Sequence, residues 1–301
     1  MKTFSRLSDD VKPNGGNAVK GVSRINQANV KWTYADFVEI VGPLLGLERY
    51  SATVIGSAGQ KAPDETSGDI DIAIEIPNRT LHLDIFEYFL GQLEISGYQF
   101  RDMRSIGIIS LAYPIVNYDS KQPNAYVQID LMFVDSLEYA TWGYYSPHHS
   151  HSQYKGLYRN ELNFFIAKHA ELNPTLIQDG VVVEWERYWF STSEGLLYGK
   201  QTLLSAKTGK ITKTARVISK TVVTNNPDKV ARFLYGHGCD SGNVLTLEDA
   251  LREMKDIDFP HIKHIPVIIS ETIKGIEKKG YPVPVIIRDF VCYDDDVYKY
   301  I

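Results

Sequence analysis

Asp69 and Asp71 stand two residues apart in a segment, residues 69–76, where isoleucines alternate strictly with other side chains. Ile70, Ile72, Ile74 and Ile76 fall on one side, and Asp69, Asp71, Ala73 and Glu75 on the other. That period of two predicts a half-buried strand with both carboxylates on one face. Two carboxylates converging on one point repel, and each raises the other's pKa. A divalent cation relieves that cost. Hard oxygen ligands suit Mg²⁺, with Mn²⁺ as its substitute, held by one or two carboxylates plus substrate phosphates. The chemistry this pair fits is metal-assisted phosphoryl or nucleotidyl transfer.

Upstream, the β-branched run Tyr50–Ile55 ends in Gly56-Ser57. Glycine lets the backbone approach a ligand closely. A helix opening there would aim its N–H groups and the serine hydroxyl at a phosphate chain. A third carboxylate comes from residues 125–134. There Val127, Ile129, Leu131 and Phe133 alternate with Gln128, Asp130 and Met132. A charge inside such an apolar strand is costly unless paired or metal-bound, which makes Asp130 the first candidate. Asp135, at the strand end, is the second.

Ile55-Gly56-Ser57-Ala58-Gly59-Gln60 followed by Ser67-Gly68-Asp69-Ile70-Asp71-Ile72 resembles the signature of the polymerase-β-type nucleotidyltransferases. That signature is a Gly-Ser turn, about a dozen residues, then Asp-x-Asp on a strand. The resemblance covers roughly residues 35–135. Gly68 stands where minimal members often carry serine. The resemblance implies that Asp69 and Asp71 hold two Mg²⁺ (or Mn²⁺) ions. It implies that Asp130 binds one of them and activates an attacking hydroxyl. It also implies an NTP substrate that loses pyrophosphate as its α-phosphate moves to the acceptor.

These residues need elements to position them. Phe37, Ile40, Val41, Leu44 and Leu45 recur at helical spacing from Thr33, and Gly46 ends that helix. A second helix is expected over 81–95, with Leu83, Phe86, Phe89, Leu90 and Leu93 on its apolar face. Strands are expected at 98–103, 106–113 and 125–134. In the second half, 154–170 reads as helix and 181–204 as strands rich in Val, Trp, Tyr and Phe. Helices follow at 227–236, at 247–256 with Thr246 as N-cap, and at 267–278, then a strand at 282–287. No internal repeat is visible. The expected fold is α/β (α+β), a nucleotidyltransferase-type mixed sheet flanked by helices with a second C-terminal α+β domain. The expected divisions are an extended arm over 1–30, a catalytic domain over 31–145 and a C-terminal domain over 146–301.

Several other features carry weaker readings. Lys155 and Arg159 follow the third carboxylate in sequence and are candidates for phosphate contacts, with Tyr158 stacking on a base; the alternative is helix-surface charge. Residues 195–227 hold Lys200, Lys207, Lys210, Lys213, Arg216 and Lys220 without any acidic residue. In a chain of net charge -5 this asymmetry marks the basic segment 200–220 as a site for an RNA, DNA or protein acceptor, or else a solvated hairpin. Lys207-Thr208-Gly209-Lys210-Ile211 is not a P-loop, because Leu204 and Ile211 break the pattern. His148, His149 and His151 are adjacent loop histidines without cysteine or acidic partners, so a loop role is favoured over a metal site. Glu184 and Glu186 flank Trp185 as exposed alternation or as a second carboxylate pair. Tyr144, Tyr145, Tyr154 and Tyr158 form a core edge or a stacking wall.

Hydrophobic residues make up 44% of the 301 residues and charged residues 23%, enough for a core and two domains and unlike collagen or a disordered chain. The net charge excludes a general nucleic-acid binder. Cys239 and Cys292 have neither CxxC nor zinc spacing and are expected reduced and packed. No apolar stretch is long enough for a membrane span, and residues 1–21 lack a secretory leader's apolar region, so a cytoplasmic protein is expected. The functional expectation is an Mg-dependent nucleotidyltransferase. The alternative is a protein of the same fold that binds or scaffolds within a larger assembly.

Overall fold

The computed structural model describes residues 16–76, 78, 81–256 and 258–293, without the side chains of 291–293. The first half of the expected N-terminal arm (1–15) and the side chain of Cys292 therefore lie outside the described residues. The architecture is α+β, in two compact units divided between Leu137 and Glu138. The division falls eight residues before the expected domain end at 145.

In the first unit, β1 (Ile25–Asn26) leads into α1 (Gln27–Ile40) and the short α2 (Gly42–Leu45). Next come β2 (Ala52–Ile55), β3 (Thr66–Ser67), β4 (Asp69–Glu75), α3 (His82–Ile95), β5 (Phe100–Met103), β6 (Ile108–Pro114) and β7 (Tyr126–Val134). The main sheet runs β2-β4-β7-β6-β5, and β1 pairs separately with β3. β4 and β7 are parallel; the other neighbours in the main sheet are antiparallel. The isoleucine face of β4 packs with Val30 and Phe37 of α1 and with Phe86, Phe89 and Leu93 of α3. The carboxylates are left on the opposite face.

α1 begins six residues before the expected start at Thr33. Its buried stripe is Asn29, Val30, Thr33 and Phe37, and two of those four are polar. The side-chain amide of Asn29 donates to Asp119, and Thr33 Oγ1 accepts from the Val116 N–H at 3.0 Å. Ile40, Leu44 and Leu83, expected on buried faces, are instead exposed.

The second unit holds α4 (Leu137–Gly143), which begins at the boundary, and α5 (Gly156–Ala170). An antiparallel sheet follows, of β8 (Leu172–Gln178), β9 (Val181–Ser191), β10 (Gly195–Leu204) and β11 (Ile211–Thr224) in that order. Then come α6 (Pro227–Tyr235), α7 (Leu247–Glu253), α8 (Ile265–Lys278) and α9 (Val285–Tyr293). Thr246 caps α7 in a reciprocal capping box with Asp249. The strand expected at 282–287 is irregular through Pro284 and then becomes helix α9. Pro282 and Pro284 lie in the irregular stretch between α8 and α9, and Ile287 and Phe290, three apart, enter the core of this unit. Among the described residues no helix is long and apolar enough to cross a membrane.

Candidate metal centre

The parallel pairing of β4 with β7 sets Asp71 beside Asp130 and Asp69 beside Gln128. On the far side of β7, Ser110 of β6 lies in register with Asp130 and is fully buried. Register partners on a pleated sheet point to the same face, so the carboxylates meet. One carboxylate oxygen from each of Asp69, Asp71 and Asp130 lies within 4.8 Å of the other two. Among the described residues no other trio of His, Cys, Asp or Glu is so placed.

Burial makes this cluster unfavourable when it is fully ionised. Burial pushes Asp130 up to about 6, and the charge on Asp69 adds to the rise. Asp71 is raised well above the usual carboxylate range, first by burial and then by its two neighbours. Asp69 is also raised by burial, while Lys61, Arg24 and the Gly16 N–H oppose the rise. Three hard carboxylate donors, Asp130 buried and Asp69 and Asp71 half-buried, with surplus negative charge suit a divalent cation.

Gly56 meets the cluster directly. Ile55 pairs with Asp71 across β2 and β4, and the next residue, Gly56, has φ of 74°. The helix expected to open at Gly56-Ser57 is a turn instead, with the Gln60 N–H donating to Ser57 O at 3.3 Å. Positive φ at both Gly56 and Gly59 is incompatible with continuing a right-handed helix. The chain returns through β3 to complete the antiparallel β2–β4 connection. Beside the turn opens a cavity of about 310 Å³, lined by Gln27, Lys31, Tyr34, Gly56 and Gln60 among others.

Four further residues reach the carboxylates, and the sequence reading assigned none of them. Lys61 acts electrostatically on Asp69 and Asp71, and its Nζ donates to Thr66 O at 2.9 Å. Arg24 grips the same residue, Nε to Thr66 Oγ1 and Nη2 to Thr66 O, both at 2.6 Å. Gln128 Nε2 donates to both oxygens of Asp130, at 2.9 and 3.1 Å, and Gly16 donates to Asp69. Gln128 shares the Asp130 face of its strand, so period-two alternation could have found it. Arg24 and Gly16 depend on chain docking that no local pattern encodes.

The alternatives take other places. Asp135 faces His82, 3.2 Å away, and lies just past the end of β7, five residues and roughly 16 Å from Asp130. Glu75 accepts from the Leu137 N–H at 2.8 Å. The His148 ring lies tilted against His149 and edge-on to His151, and its Nδ1 is 2.7 Å from Ser150 Oγ. Glu184 pairs with Lys200 at 2.6 Å, and Glu186 accepts from Tyr198 at 3.0 Å, so they form no second carboxylate pair.

Arg159 differs from the expectation of a phosphate contact. It is 0% exposed in the second unit's core, and its guanidinium donates to the backbone carbonyls of Trp142, Gly143, Val244 and Leu245. Tyr158 is likewise buried, edge-on to Tyr154 and Tyr281. Lys155 is exposed at the N-cap of α5, with its ammonium 5.7 Å from the centroid of Tyr281. In the basic segment, Lys200 and Lys220 pair with Glu184 and Glu194, while Lys207, Lys210 and Lys213 are exposed around the β10–β11 turn.

A scan of the chain against protein-family models finds no match, and a search of curated proteins finds no significant match.

Proposed function

We propose that this chain is a metal-dependent nucleotidyltransferase of the polymerase-β type, moving a nucleoside monophosphate from an NTP to a hydroxyl acceptor. The observation that carries the reading is the convergence of Asp69, Asp71 and Asp130 beside the Gly56 turn. Asp69, Asp71 and Asp130 would hold Mg²⁺ or Mn²⁺. Such an ion, when bound, neutralises phosphate charge and polarises the reacting phosphorus centre.

The chain's own residues supply the rest. Gly56 and Ser57 present a turn, free of a side chain at its first position, for the triphosphate to approach. The cavity beside it is lined by Gly56, Gln60 and α1 residues and by none of the three carboxylates, so it offers room for a part of the nucleotide away from the metal. Asp130, with a pKa raised toward neutrality, accepts the proton of the acceptor hydroxyl. The hydroxyl oxygen bonds to the α-phosphorus, the bond to the β-phosphate oxygen breaks, and pyrophosphate leaves. The exposed Lys207, Lys210 and Lys213 fit an anionic acceptor such as RNA or DNA, with a protein hydroxyl as the further option. The reading places this reaction in the cytoplasm.

The test is incubation of the full chain with each α-labelled NTP, Mg²⁺ or Mn²⁺, and total RNA or cell lysate. Transfer of label that disappears in Asp69→Ala plus Asp71→Ala supports the reading. Absence of labelled product together with absence of nucleotide binding by calorimetry overturns it in favour of a binding or scaffolding role.

A further inference from the structure

We infer that the N-terminal segment Gly16–Val19 and Gln128 form one positioning device for the cation site, in which the arm sets Gln128 and Gln128 sets Asp130. The inference rests on the reading of the carboxylate trio as a divalent-cation site.

Gln128 is 2% exposed, and both the oxygen and the nitrogen of its amide are used. Its Oε1 accepts from the N–H of Ala18 at 2.7 Å and of Val19 at 3.3 Å. Its Nε2 donates to both oxygens of Asp130. The amide orientation is fixed by chemistry: turning it over would set its NH₂ against two backbone donors and its carbonyl against a carboxylate. The segment is held at Gly16 and again, four residues beyond Val19, at Ser23. Ser23 donates to Tyr126 O from its backbone N–H, at 2.7 Å, and from its hydroxyl, at 3.1 Å. At its start the Gly16 N–H donates to Asp69. Gly16 has φ of 84°, and a β-carbon there would lie 2.2 Å from Gly68 O. Only glycine permits this approach. Two of the three carboxylates are therefore oriented from one stretch of chain more than a hundred residues away from Gln128 in sequence.

Partners that orient metal-binding carboxylates typically change metal affinity about 10- to 100-fold when removed. A residue that merely filled space would not. Gln128→Met keeps the length and bulk of the side chain but neither donates to Asp130 nor holds the arm. Gly16→Val leaves every side chain of the trio and Gln128 intact and displaces the arm by collision with Gly68.

The experiment is Mn²⁺ binding to the full chain, followed by electron paramagnetic resonance of free and bound ion, with thermal melts to confirm folding. In the wild type, binding lost in Asp71→Ala locates the ion at the trio. Gln128→Met and Gly16→Val are each expected to weaken Mn²⁺ about 10- to 100-fold and to change the bound-ion spectrum while remaining folded. Wild-type affinity in folded Gln128→Met overturns the inference and leaves the cation site standing. Should Gly16→Val fail to fold, Gln128→Met decides alone. Wild-type binding that is absent, or insensitive to Asp71→Ala, overturns the cation site and the inference together.

Discussion

A β-carbon on Gly56 would sit 2.5 Å from Asp71 Oδ2. The two residues are neighbours across the β2–β4 pairing, in which Ile55 is the register partner of Asp71. The glycine is thus required twice, by its positive φ and by the carboxylate packed against it.

Gly56→Ala must therefore displace either the turn or the Asp71 side chain. A shift of about 1 Å at a reacting centre costs on the order of 10²-fold in rate, and that is the expected loss of label transfer. Ser57→Ala, which leaves the backbone undisturbed, is expected to lose less. Equal activity of Gly56→Ala and wild type would remove the turn from the site.

Asp130 provides a pH-dependent stability test. Its folded pKa of about 6 lies above the unfolded value of 3.8, so between those values the folded protein binds more protons than the unfolded chain. This group's protonated stability is fully present below about pH 4 and is lost as pH rises through about 6. In the absence of divalent cations, Asp130→Asn escapes that loss. At pH 8 it is expected to be more stable than wild type by up to about 3 kcal/mol, with the gap closing toward pH 4. Chelator-treated denaturation curves across this range check it. Saturating Mn²⁺ is expected to reverse the order at pH 8, because the wild type binds the ion more tightly.

Lys61 places a positive charge on the two carboxylates of β4 and lowers both pKa values. It partly substitutes for a cation and opposes one that arrives. Lys61→Met is expected to tighten Mn²⁺ binding on the order of fivefold at low salt, the effect shrinking as ionic strength rises. A titration showing weaker binding would mean that Lys61 supports the ion by orienting the loop through Thr66 O.

Much of this centre was legible because β4 and β7 alternate cleanly. Each presents an apolar face to the core, so period two reveals which carboxylates share the other face. The same logic fails where burial is not apolar. The start of α1 was hidden because Asn29 and Thr33 occupy core positions, satisfied by Asp119 and Val116. β11 was legible only as one arm of a solvated hairpin, because it is exposed along nearly its whole length and has no buried face to impose alternation. The β-branched run Val285-Ile286-Ile287 read as strand, yet tertiary packing made it the start of α9. The contact of Ala18 with Gln128 spans 110 positions, and nothing in either local sequence announces it.

Arg159 separates a structural cation from a substrate-binding one. Its side chain is buried, and burial lowers its pKa to about 10. It also lies 4.9 Å from the ring centroid of Trp142. Its planar fork spans carbonyls from two chain segments, 142–143 and 244–245, which a lysine ammonium cannot serve together. Arg159→Lys leaves buried carbonyls without donors, each costing about 1–3 kcal/mol, so a destabilisation of about 2–4 kcal/mol is expected by chemical denaturation. Mn²⁺ affinity at the carboxylate trio and the KM for NTP are expected to stay at wild-type values under conditions where the variant is folded. A raised KM with undiminished stability would restore Arg159 as a phosphate ligand and require its carbonyl contacts to give way when nucleotide binds.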